Sequence, residues 1–223
     1  MRFLALVLLL AAPAAAQPPA GELGSIVESI RQDFPLDHRA IATSLDGKTG
    51  AEARRVLYDG IDRFVRARRA SILAAPGPSL VAIEARQGAL LRTLGRQNVR
   101  LCASVGDRGF FSSEAAAGEP PAGIGPLGVA LVEAAKAGAA PARPGPAATK
   151  EDFIAWLAAV EKIEPAVPVR AMLQDRALRL KSSPDQLCRG SAAMHEAVAA
   201  LPRPVGERVA RTLLGSAIGS PAP

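Results

Sequence analysis

Apolar residues recur at intervals of three and four along most of this chain, with no convincing run of strict alternation and no internal repeat, so the pattern predicts helices and no sheet. Ser25 and Glu28 have the spacing of a capping box and open a short helix to about Asp33, with Ile26, Val27 and Ile30 inward. Pro35 opens a second, in which Leu36, Ala40, Ile41 and Leu45 share a face. Both are too short to persist alone in water and must dock on something larger. After the Asp46-Gly47-Lys48 turn, Thr49 and Glu52 form another capping-box pattern. Leu57, Ile61, Phe64, Val65 and Ile72 then occupy one arc, opposite Arg55, Arg63, Arg66 and Arg69. Asp59 precedes Arg63 by four residues and Asp62 precedes Arg66 by four, the signature of a solvated, ion-paired face.

Ala74 to Pro78 is a tight connection, which implies an antiparallel partner next in sequence. That partner starts at Ser79 and places Leu80, Ile83, Gln87, Leu90, Leu94, Leu101 and Val105 on a near-heptad stripe broken by Asn98. Leu91 and Cys102 lie at its edge beside Gly95, and Phe110-Phe111 follows as a hydrophobic plug. Residues 112–125 and 138–148, rich in Ala, Gly and Pro, read as flexible loops around a modest helix, Pro126 to Ala137. Thr149, with Glu151 and Asp152, caps a helix anchored by Phe153, Trp156, Leu157 and Val160. Beyond Pro165 and Pro168, Val169, Met172, Leu173, Ala177 and Leu180 form a further apolar face. Ser183, Pro184 and Gln186 start the next helix, whose inner stripe is Leu187, Met194, Val198 and Leu201, and Val205 to about Leu214 forms the last. The expected fold is all-α, an irregular bundle of roughly eight helices in a single domain, 25–216, with a loose tail at 217–223.

The N-terminus changes the setting. Met1-Arg2, the apolar run Phe3 to Ala12 and the small-x-small Ala14-Ala15-Ala16 have the form of a signal peptide, 1–16, followed by a flexible leader, 17–24. The expected location is therefore periplasmic or secreted, with no membrane span after cleavage. In that setting two cysteines read as one disulfide. A Cys102–Cys188 bridge would close a loop of about 87 residues, for which the chain-entropy model gives roughly 4 to 5 kcal/mol before strain. Gly95 would let the second backbone approach closely enough.

Composition adds charge and removes chemistries. The net charge of +6 is carried almost entirely by arginine. Arg92, Arg96 and Arg100 repeat every four residues with no acid between them, and Arg86 lies nearby. Like charges at this spacing repel. They are offset either by carboxylates from another helix, such as Glu151, Asp152 or Glu161, or by an external anion, which would be an anionic envelope component or an acidic partner protein. Nucleic acid is disfavoured by the export signal and by the lack of aromatic residues among the arginines. Asp46-Gly47-Lys48-Thr49-Gly50 is no phosphate loop, because Ala42 stands where that motif needs glycine. His38, His195 and the two cysteines lack metal-ligand spacing, so no metal or other cofactor is expected, and His195 reads as a satisfied boundary histidine. Ser191 and His195 are four apart, but the nearest acid in sequence, Glu196, points elsewhere, and no catalytic residue is assigned. The sequence favours a non-enzymatic binding or scaffolding protein of the bacterial envelope. The alternatives are a small periplasmic hydrolase or a helical chaperone-like protein.

Overall fold

The computed structural model describes residues 21–111, 113–139 and 144–219, so the expected signal peptide and the first half of the expected leader, 17–20, lie outside the described residues. Among the described residues there is no strand, and nine helices have seven or more residues. In chain order they are α1 (Glu22–Asp33), α2 (Pro35–Leu45), α3 (Gly50–Ala67), α4 (Arg69–Ala74), α5 (Gly77–Gln97), α6 (Val99–Arg108), α7 (Ser113–Ala116), α8 (Ile124–Ala137), α9 (Lys150–Ile163), α10 (Val169–Gln174), α11 (Arg176–Lys181), α12 (Pro184–Ala199) and α13 (Arg203–Gly219). The number exceeds the roughly eight expected because the helices expected through Ile72, over Ser79 to Val105 and over Val169 to Leu180 are each two, and α7 is added. The fold is all-α, and a Cys102–Cys188 disulfide ties it.

The broadest helix contact is between α5 and α12, and α12 packs also on α6 and α9. α1 lies along α8, which is buried nearly all round through Ile124, Leu127, Leu131, Val132 and Ala135. Small residues bring these helices together. An added Cβ at Gly88 would stand 2.7 Å from Glu196 Cγ and 3.2 Å from its backbone nitrogen, so α5 meets α12 backbone to backbone at this level.

Two of the expected helix starts form as capping boxes. Thr149 accepts from the Asp152 N–H while Asp152 accepts from the Thr149 N–H, and Ser183 and Gln186 do the same on α12. The other two do not. α1 begins at Glu22, inside the expected leader, because the Glu22 carboxylate accepts the Gly125 N–H at the start of α8 at 2.7 Å and fixes that turn. Ser25 then donates to the Glu22 carbonyl, and Glu28 is taken by Arg31 and Gln32. At Thr49 the side chain makes no cap bond, and Glu52 pairs with Lys48 at 2.6 Å. Asp62–Arg66 forms as expected.

The expected helix from Ser79 to Val105 is two helices. Asn98 leaves helical geometry at φ −154° and ψ 92°, and its side chain accepts from the Leu101 N–H at 3.0 Å, so the residue that breaks the stripe also caps α6. Within the expected loop 112–125, α7 and the first residues of α8 are helical, and Ala115 and Ala116 are buried. In 138–148, Gly138 is pressed on the Ser71 carbonyl, and the Ala148 N–H donates to Thr212 Oγ1 at 2.9 Å. The tail is helical as far as Gly219.

Candidate functional site

The disulfide sits where α6, α5 and α12 converge. The two Cα atoms are 5.3 Å apart and both sulfurs are buried against the Leu91 carbonyl, at 3.2 Å from Cys102 and 3.8 Å from Cys188. Neither sulfur carries a proton, so these are contacts and not hydrogen bonds. An added Cβ at Gly95 would lie 2.8 Å from Cys188 Sγ, and the glycine is what leaves room for the bridge.

The arginine row does not survive as a row. Arg92 donates to both carboxylate oxygens of Glu196, at 2.9 and 2.8 Å, and to Glu164 at 3.4 Å. The Glu196 bonds hold its guanidinium above its ordinary range. Glu164 is buried and also takes two bonds from Arg189; chiefly these hold its carboxyl below the usual range, against the opposing effect of burial. The compensating acids are thus Glu164 and Glu196. Asp152 is instead held by Arg208, and Glu161 by Arg170. For Arg92 the first of the two alternatives is what the fold provides: Nε and both terminal nitrogens are turned to carboxylates of other elements. Among the described residues exposed Arg96 donates to Thr93 alone, and Arg100, also exposed, stands beyond the Asn98 break on α6.

His195 has a partner that the sequence reading missed. Its Nδ1 lies 2.6 Å from Glu84 Oε2, and Glu84 is fully buried on α5. Glu84 Oε1 and Gln87 Oε1 are buried without a hydrogen-bond partner among the described residues. The rings of Phe110 and His195 meet in an edge-type arrangement, their centroids 6.1 Å apart and their planes at 63°. The available signal was Glu84 itself, a charge one turn after Leu80 and beside Ile83 on the buried arc. Ser191 does not join this pair. Its side chain makes no hydrogen bond among the described residues and packs over Gly106, where an added Cβ would lie 2.6 Å from Ser191 Oγ. A carboxylate-oriented histidine is present, and among the described residues no nucleophile is bonded to it.

Next to the clamp, α6, α10 and α12 enclose a groove of about 170 Å³. Ala103 and Gly106 form one wall, Leu187 and Met194 another, and Met172 and Leu173 the third. An Asp107–Arg179 ion pair closes its lip. Arg179 comes from α11, a helix with no buried residue, whose start is capped by Asp175 through bonds from Ala177 and Leu178. Leu180 on α11 and Leu173 on α10 are exposed by 76% and 48%, the highest apolar exposure on this side.

Among the described residues no group of His, Cys, Asp and Glu is arranged to hold a metal ion, and no helix is long and apolar enough to cross a membrane. Fold and site together define an all-α bundle, clamped by one disulfide, with a small apolar groove against the clamp. No family model matches the chain, and no curated protein or solved structure is significantly similar to it.

Proposed function

We propose that this chain is an exported, non-enzymatic binding protein of the bacterial envelope that takes an apolar group into the groove between α6, α10 and α12. The observation that carries this reading is the position of the disulfide. Cys102 adjoins Ala103 in one wall and Cys188 adjoins Leu187 in the other, so the single covalent tie fixes the two faces of the groove. Preformed concave walls lower the ordering cost of binding. Two methionines line the groove, and their flexible thioethers adapt to ligands of differing shape. Export is supported by the N-terminal pattern and by a disulfide, which persists in oxidising compartments.

The test is calorimetric titration with a short neutral alkyl ligand, decanol, on the oxidised chain and on a Cys102→Ala/Cys188→Ala variant. Binding to the first and a loss of about tenfold in the second support a clamped groove. No binding to the oxidised chain overturns the reading. The hydrolase alternative has the Glu84–His195 pair in its favour, and ester turnover abolished by His195→Ala would establish it.

A further inference from the structure

We infer that the groove takes the tail of a single-chain fatty acid anion, with the carboxylate met by Arg179; the inference rests on the binding reading above and names its ligand class. Size sets the first limit. About 170 Å³ is close to the ~150 Å³ of a cavity that takes one benzene ring, so it accepts about six carbons. A docked helix would need a row of holes for anchors at i, i+3, i+4 and i+7, and one slot of this size does not supply them. An alkyl chain needs a single slot.

Charge sets the second. Arg179 stands at the lip with its side chain about half exposed, and Asp107 is the acid that holds it. On the same short helix, Arg176 and Lys181 are exposed and make no ion pair among the described residues. Arg100 shares at helical spacing the α6 face that supplies Ala103 and Asp107, and it too is exposed. On α11 and its cap, Arg176, Arg179 and Lys181 stand against Asp175 alone, so cations predominate on the helix that supplies the lip, and a monoanionic head group is complementary to them. A carboxylate presents two oxygens to one guanidinium fork. Exposed Leu173 and Leu180 continue the apolar surface outward for the part of the chain that the slot cannot hold.

The sequence supplies its own reporters. Of three methionines, Met172 and Met194 both line the groove and the third is Met1. With ¹³C-methyl methionine in the full chain, assigned by Met172→Leu, decanoate is expected to shift both groove methyls at lower concentration than decanol does. Arg179→Gln should weaken decanoate by about tenfold, to the level of decanol, and leave decanol unchanged. Asp107→Asn frees Arg179 and should tighten decanoate by about threefold or more. If decanol and decanoate bind alike and neither variant separates them, the fatty acid assignment falls while the apolar groove stands. If neither ligand moves either methyl, the groove reading falls with it.

Discussion

Gly95 and Cys188 face each other across the α5–α12 contact so closely that a single added methyl at position 95 would lie 2.8 Å from the Cys188 sulfur. The listening partner in this contact is a disulfide pinned at its other end to α6, so it has little freedom to retreat. Gly95→Ala is expected to destabilise the oxidised protein by about 1 to 3 kcal/mol through overpacking, although alanine is the better helix former. In a Cys102→Ala/Cys188→Ala background the sulfur is gone, and the same substitution should become neutral or slightly stabilising. Thermal unfolding of the four proteins reads the sign change directly. Equal effects in both backgrounds would show that the glycine serves something other than the bridge.

The bridge itself should carry a large share of the stability. Removing both sulfurs frees a denatured chain that was looped over 86 positions, for which the entropic model gives about 4 to 5 kcal/mol. The double alanine variant should unfold many degrees lower, and thiol titration of the oxidised wild type should find no free sulfhydryl. A titre of two would refute the clamp.

Glu84 and His195 make a different kind of tie. Glu84 is fully buried, so truncating its partner leaves a buried carboxyl group without the hydrogen bond to His195. His195→Ala is expected to cost about 1 to 3 kcal/mol, the range for a buried polar group left unpaired. Replacing both residues with apolar ones, Glu84→Leu with His195→Leu, should recover most of that loss, because no unpaired polar group remains buried. Denaturant unfolding of the two singles and the double measures the coupling. Additive losses would mean that the two side chains do not act as a pair.

These examples also mark where the sequence was readable. Local signals carried well when the partner lay within one turn: Thr149 with Asp152 and Ser183 with Gln186 form as written. The disulfide was legible because only two cysteines were available and Gly95 stood beside one of them. Ser25 and Glu28 failed although their spacing was right, because the helix starts earlier, at Glu22, so Ser25 donates to the Glu22 carbonyl and Glu28 is taken by Arg31 and Gln32. The partners of Glu84 and Arg92 were not legible, for a single reason. Their partners, His195, Glu164 and Glu196, lie 72 to 111 residues away, and periodicity reports which face is buried but not which charge awaits it there. The groove was invisible for the same reason, since its walls come from three helices separated in sequence.

Acid should act through Glu164. Arg189 and then Arg92 keep its carboxyl below the ordinary range in the folded state, so the unfolded chain takes up its proton first as pH falls. The stabilisation is complete above the unfolded carboxylate range, near pH 4 to 5, and is lost as pH drops through the lower folded value. Glu164→Gln should lower stability at neutral pH and flatten the acid limb of the stability curve. An unchanged acid limb would remove Glu164 from the account.

Alkali should act through Tyr58, the chain's one tyrosine, fully buried on α3 against Phe111. Burial pushes its phenol up from 10.0 to about 12, with nearby Arg54 pulling weakly the other way. Below pH 10 both folded and unfolded chains hold the proton, and the stability is intact. Between pH 10 and 12 only the unfolded chain releases it, which costs the fold about 2 to 3 kcal/mol by the upper end. The hydroxyl oxygen has no hydrogen-bond partner among the described residues, so Tyr58→Phe removes a desolvated polar group and leaves the ring packing in place. That variant should be as stable as the wild type at neutral pH or slightly more so, and should lose this alkaline dependence. Because no other residue contributes a phenolate band, ultraviolet titration follows the group alone. Ionisation near pH 10 with the fold intact would place the hydroxyl in contact with water and overturn the assignment.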